Sequence, residues 1–308
     1  MTRDRRPVVI DADPGIDDVL AILYLTGLPD VEIVGLTTVH GNVPAGTGAR
    51  NALKAFEIAG APDVPVVVGI DRPLVHQAAT AEDVHGTDGL GDAGVLPSLR
   101  RPSAGSGPLQ LLQWARERPG EITLLAIGPL TNVAVAQLLE PKLPSLFREL
   151  VIMGGAVWAP GNVTPHAEFN TWHDPEAARV VLEAPWNMTL VGLDVTARTR
   201  LEGAALAELE GSPKPVARFA SAILQGYLNE SERESGVRAA FMHDPLASAI
   251  MMDPRLADFR DTPLLVELAE PERGRTRPEA SGGGPAVHVA VDVDGPRFIA
   301  RYLSAVLR

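Results

Sequence analysis

Short apolar runs alternate with stretches of helical periodicity along most of this chain, and that alternation restricts the fold more than any other feature of its 308 residues. The runs fall at 8–11, 31–39 (VEIVGLTTV), 64–70 (VPVVVGI), 121–127 (EITLLAI), 149–153 (ELVIM) and 188–195 (MTLVGLDV), with later ones at 263–268 and 286–293. Apolar residues at helical spacing fill the gaps at about 15–27, 45–59, 107–117, 130–139, 174–184, 212–230 and 296–307. A continuous apolar run is a strand buried on both faces, and such strands joined through helices form parallel sheets. The pattern therefore predicts an α/β fold: one domain over 1–308, built on an open, mostly parallel, Rossmann-like sheet with helices on both faces. At 45% hydrophobic residues the chain can bury the core this requires. Two long stretches, 71–104 and 154–173, show no period, and long irregular segments in compact domains are often functional. A mixed stretch, 229–243, joins a polar helix end to His243, and SGGGP at 281–285 reads as a loop between late strands.

Open α/β sheets bind ligands beyond the carboxyl ends of their strands. The residues that follow each run are therefore the candidates. After the first come Asp11, Asp13, Asp17 and Asp18, with Pro14 and Gly15 forcing a turn between them. After the second come Thr37, Thr38, His40, Gly41 and Asn42; after the fourth, Ile127 to Asn132; after the fifth, Met153, Gly154 and Gly155, then Asn162, Glu168, Phe169 and Asn170. One site at that edge accounts for all of them. Four carboxylates so close repel one another unless a cation or a set of donors compensates them. Helix N-terminal preference explains Asp17 and Asp18. It does not explain Asp11 and Asp13, so the stretch reads as a metal-binding catalytic loop.

Charge and composition exclude several classes. The 27 basic and 39 acidic residues leave a net charge of −12, which argues against nucleic acid and anionic membrane as partners. The absence of cysteine rules out disulfides, thiolate nucleophiles and Cys-ligated zinc. The charged segment TRDRRP runs directly into a strand with no apolar signal region, and no apolar run reaches membrane-spanning length. The expected location is the cytoplasm.

Seven separated motifs then occur in order: DADPGIDD at 11–18, TTVHGN at 37–42, HGTDGLG at 85–91, IGPLTN at 127–132, MGGA at 153–156, GNVTPHAEFN at 161–170 with DPEAA at 174–178, and HDPLA at 243–247. In these the chain resembles the nucleoside hydrolases of the inosine-uridine-preferring type over almost its whole length. A single tetrapeptide would be weak evidence; an ordered set is specific. The resemblance implies Ca²⁺-dependent hydrolysis of the N-glycosidic bond of ribonucleosides to free base and ribose, by a homo-oligomer, dimer or tetramer. It implies that Asp13 is the general base and a calcium ligand, that Asp18 and Asp244 are further ligands, and that Ile127 offers its backbone carbonyl. Asp17, Asn42 and Asn170 match contacts to the ribose hydroxyls, and Asn162 and Glu168 match contacts to the 5′-hydroxyl. Met153 and Phe169 match packing around the sugar, and His85 and His243 match residues near the base. Asp11 resembles a partner of the ligands, not a ligand itself.

The chemistry agrees with those residue types. An all-oxygen donor set suits Ca²⁺ better than Mg²⁺, which demands near-octahedral geometry and keeps several waters. His243 precedes Asp244 and so enters the same site, where carboxylates would favour its protonated form and make it an acid for the departing base. His76, His166, His173 and His288 read as ordinary packing, and His40 has no assigned role. Trp158 and Tyr227 are candidates for the base pocket, although Tyr227 also fits core packing. His85 stands where the purine-specific subgroup is expected to stack a Trp, which points to inosine and uridine, or to pyrimidine ribosides. A haloacid-dehalogenase-type phosphatase would need Thr or Val where this chain has Gly15, and a lysine that none of Lys54, Lys142 and Lys214 supplies from a motif. A non-enzymatic Ca²⁺-dependent nucleoside- or sugar-binding protein would need neither Asp13 as base nor His243 as acid.

Overall fold

The computed structural model describes residues 5–279 and 283–308. Part of the predicted SGGGP loop therefore lies outside the described residues. The strands are β1 (Arg6–Ala12), β2 (Val31–Thr38), β3 (Val66–Val68), β4 (Thr123–Ala126), β5 (Glu149–Met153), β6 (Met188–Val191), β7 (Arg200–Glu202), β8 (Ala239–Phe241), β9 (Ala257–Val266), β10 (Thr276–Pro278) and β11 (Ala286–Val293). Nine of them form one sheet in the order β10-β9-β11-β6-β5-β4-β1-β2-β3, and β7 and β8 pair separately. From β11 across to β3 every neighbouring pair is parallel. β9 and β10 close the far edge in antiparallel register.

The chain lays down β1, grows outward through β2 and β3, then returns to the other side of β1 with β4, β5 and β6. That reversal is the Rossmann strand order, and it opens a crevice between β1 and β4 at their carboxyl ends. Asp11 pairs with Thr37 on one side and Ala126 on the other, so Asp13 and Ile127 emerge at the crevice.

Val8, Val9 and Ile10 are fully buried, as their unbroken apolar run predicts. Each contributes roughly 1.5–3 kcal/mol by leaving water. Val8 and Ile10 pack into one layer with helices Ile16–Thr26, Ala45–Ile58, His243–Met252 and Gly295–Val306; Val9 packs into the other with Gly107–Glu117, Thr131–Leu139 and Pro175–Leu182.

Several predicted boundaries move. The 64–70 run yields only three strand residues, and the 188–195 run stops at Val191 because Gly192 starts the four-residue helix Leu193–Thr196. The 263–268 strand begins earlier, at Ala257, and is antiparallel. The helix predicted over 212–230 runs from Pro215 to Ser235 and ends at Gly236 in the left-handed region, φ 72°. Helix Gly203–Gly211, helix His243–Met252 and strands β7 and β8 had no clear sequence signal. In His243–Met252 every residue from Asp244 to Met251 is buried, so no polar face exists to reveal a period. Among the described residues no helix is long and apolar enough to cross a membrane.

Candidate active site

β1 ends at Ala12, and Asp13, Pro14 and Gly15 turn the chain into helix Ile16–Thr26. Asp18 caps that turn: its Oδ2 accepts the Gly15 N–H at 2.9 Å and its Oδ1 accepts the Asp13 N–H at 3.1 Å. Asn42, from the loop after β2, then ties two acids together. Its N–H donates to Asp13 Oδ2 at 2.7 Å and its Nδ2 donates to Asp18 Oδ2 at 3.0 Å. The loop can pass this close only because residue 41 is glycine: its φ is +153°, and a Cβ there would lie 2.0 Å from Asp13 Oδ2. Asp13 Oδ1 and Asp17 Oδ1 are buried and accept nothing from the protein. Asp244 arrives from the first turn of helix His243–Met252. One carboxylate oxygen from each of Asp17, Asp18 and Asp244 lies within 4.8 Å of the others.

Burial dominates the electrostatics. It lifts Asp13 well above the usual carboxylate range, with the charge of Asp18 adding to it, and lifts Asp244 likewise, with Asp17 adding. Burial and then Asp17 raise Asp18 to about 7. Asp11, behind them, is pushed to about 7 by burial, against hydrogen bonds from Thr37 Oγ1 at 2.5 Å and Asn132 Nδ2 at 2.8 Å. A positive charge among these groups reverses both effects. Two orphaned carboxylate oxygens, three converging carboxylates and no nitrogen or sulfur donor in the cluster fit a hard divalent cation.

The converging trio differs from the ligand set read from the sequence. Asp17 joins Asp18 and Asp244, while Asp13 has one oxygen drawn onto the Asn42 N–H. The Ile127 carbonyl accepts from Asn170 Nδ2 at 3.0 Å, and the same amide donates to the Met153 carbonyl at 3.1 Å, so Asn170 stitches the ends of β4 and β5 together.

A cavity of about 730 Å³ opens over the acids. Asp17, Asn42, His85, Ile127, Met153, Asn162, Glu168, Phe169, Asn170, His243 and Asp244 all line it, and Asp13 and Asp18 do not. Glu168 is buried and caps helix Phe169–His173: its carboxylate accepts the N–H groups of Asn170, Thr171 and Gly155. Burial raises its pKa. Asn162 Oδ1 accepts the Phe169 N–H at 2.9 Å.

Two histidines lie beside the acids on the wall of this cavity. His85 Nδ1 accepts the Ile16 N–H at 3.0 Å, which places the hydrogen of the neutral ring on Nε2. His243 Nδ1 lies 2.9 Å from Thr196 Oγ1, and its ring stacks on Phe241 at 5.5 Å. Burial lowers the pKa of His243 and outweighs the pull of Asp17 in the other direction. The expectation that nearby carboxylates would hold it protonated is therefore corrected: in this buried setting desolvation is the larger effect.

Tyr227 and Leu224 from helix Pro215–Ser235, and Phe241 from β8, also line the cavity. So do Ala79, Thr80 and Ala81 from the unpatterned 71–104 stretch. Trp158 does not: it is 44% exposed, with the Arg260 guanidinium 4.8 Å from its ring centre. His173, read as ordinary packing, lines the cavity and sits 3.9 Å from Phe169. His40 is buried away from it, 2.9 Å from Thr131 Oγ1.

A Rossmann-order sheet whose crevice holds buried carboxylates with two histidines beside them is the setting for hydrolytic chemistry on a small polar substrate. Residues 8–300 match the family described as inosine-uridine preferring nucleoside hydrolase, and the chain belongs to that family. Among its relatives, uridine nucleosidase 1 of Arabidopsis thaliana is 40% identical over 261 residues, 84% of this chain and 78% of that protein. The inosine-uridine preferring nucleoside hydrolase of Crithidia fasciculata is 34% identical over 98% of each chain. The solved structure of a plant nucleoside hydrolase superimposes with a TM-score of 0.94, at 33% identity, over 98% of this chain and 99% of that one.

Proposed function

We infer that this protein hydrolyses the N-glycosidic bond of ribonucleosides, releasing the free base and ribose. The observation that carries the reading is one cavity whose wall holds the buried carboxylates of Asp244 and Glu168 together with His85, His243, Tyr227 and Phe241. In this reading Ca²⁺ is held by Asp13, Asp18, Asp244 and the Ile127 carbonyl, with Asp17 beside them. When bound, it supplies Lewis acidity toward water and the sugar hydroxyls. Asp13, whose Oδ1 has no partner inside the protein, takes a proton from the attacking water. Asp17, Asn42 and Asn170 orient the ribose hydroxyls, and Met153 and Phe169 pack against the ring. The amide of Asn162, its oxygen already engaged, donates to the 5′-hydroxyl beside Glu168. The carboxylates favour the positive charge that grows at C1′ in an oxocarbenium-like transition state. His243 delivers a proton to the leaving base; burial lowers its pKa and the charge of Asp17 works against that, so the proton it hands over is loosely held.

Inosine and uridine, or pyrimidine ribosides, are the proposed substrates, supported by the names of the relatives and by His85 at the base. A homo-oligomer in the cytoplasm completes the reading; the oligomer rests on family resemblance alone. Incubation with a panel of ribonucleosides, with reducing sugar measured, is the test. Release of ribose from uridine or inosine is the expected result; saturable binding without release would leave a binding protein instead.

A further inference from the structure

Asp194, which the mechanism above does not use, sits on the helix Leu193–Thr196 just after β6 and is half-buried. Its carboxylate accepts three consecutive main-chain N–H groups: Val157 on Oδ2 at 2.9 Å, Trp158 on Oδ1 at 2.7 Å and Ala159 on Oδ1 at 3.0 Å. The next residues, Pro160, Gly161 and Asn162, line the cavity. Pro160 fixes its own φ, so the link from the anchored segment to Asn162 has few soft torsions. Beyond it the loop closes on itself: Gly161 N–H reaches the Pro165 carbonyl and Asn162 N–H the Ala167 carbonyl, each at 3.2 Å. A Cβ on Gly161 would lie 2.3 Å from the carbonyls of Thr164 and Ala167, so the turn has no slack to take up a shift.

We propose that Asp194 is a positioning residue for the sugar end of the site: by holding residues 157–159 it sets where Asn162 meets the 5′-hydroxyl. The proposal rests on the reading of Asn162 given above. The same short helix carries Thr196, which contacts His243 at the base, so its two polar residues serve opposite ends of the substrate.

Asp194→Asn removes one acceptor oxygen and turns an NH₂ toward main-chain N–H groups that have no use for a donor. The segment must move, and Asn162 with it. The test compares kcat/KM for uridine and 5′-deoxyuridine in the calcium-loaded wild type and in Asp194→Asn, Asn162→Ala and Thr196→Val. In Asp194→Asn the preference for uridine falls about fivefold to tenfold, as for a lost or misaligned hydrogen bond, chiefly through KM. Asn162→Ala shows at least the same fall. Thr196→Val keeps the preference and loses activity on both substrates alike. A fall in Asn162→Ala with none in Asp194→Asn overturns the positioning role and leaves Asn162 in place. No fall in either overturns the reading of Asn162, and the proposal with it. A fall in Thr196→Val equal to that in Asp194→Asn also overturns it, because any damage to the helix would then do. Should Asp194→Asn not fold, Asp194→Glu, which keeps both acceptors one methylene out of place, reads the same ratio.

Discussion

Asp13 is bound to the protein through one carboxylate oxygen only, and its Oδ1, which has no partner, is the atom proposed to take the proton. Asp13→Ala should therefore lower kcat by at least about 10³-fold, because general-base catalysis and metal binding are lost together. Calcium titration of the variant should show weakened affinity; wild-type turnover would dismiss the assignment. His243 is separable by choice of leaving group. His243→Ala should lose about 10²–10⁴-fold on inosine or uridine, whose bases leave badly as anions, and keep most activity on p-nitrophenyl riboside. Equal losses on both would move the acid role to His85 or Tyr227. Among single residues, the acids were legible because charge directly after a buried apolar run has no cheap structural explanation. Asp194 was not, since a carboxylate that binds main-chain N–H groups leaves no pattern in the sequence. Tyr227, named as a candidate beforehand, does line the cavity, whereas Phe241 lay within the mixed stretch 229–243, whose polar, aperiodic run hid the short strand that carries it.

The turns after β1 and β2 interlock, and Gly41 is the tooth. Its φ of +153°, and the 2.0 Å that would separate a Cβ at this position from Asp13 Oδ2, leave no room for a side chain. Gly41→Ala should cost about 1–3 kcal/mol in stability from the forced backbone conformation. It should also depress calcium affinity, as read by isothermal titration, since Asp13 must yield. Unchanged affinity would mean the turn gives way elsewhere. Elements with one buried face, such as Gly295–Val306, could be read from their period. Helix His243–Met252 could not, because both its sides are covered, and β7 and β8 are too short to show alternation.

Across the whole molecule, the buried acids tie stability to the cation. Asp11 and Asp18 move from an ordinary 3.8 to about 7 in the folded chain. Without metal, the folded state keeps protons that the unfolded state has released. Their contribution is complete below the unfolded pKa and is lost as pH rises through about 7. The Tm of EDTA-treated protein should fall between about pH 5 and about pH 8, and added Ca²⁺ should restore most at the upper end. A metal-free Tm that rises over that interval would contradict this account of the cluster. The strand order separates the two ends of the substrate in another way. The chain leaves the large sheet after Val191 and next enters it at Ala257. Leu193, Ala197, Leu224, Tyr227, Phe241 and His243 all fall within that one excursion, whereas the sugar contacts come from scattered strand ends. In the proposed reading most of the wall that meets the base is therefore one contiguous stretch, with His85 added from the segment before β4. Transplanting residues 200–241 between relatives of different base preference should carry the preference along while the demand for a ribose stays behind, so new nucleobases can be adopted without rebuilding the chemistry that cuts them free.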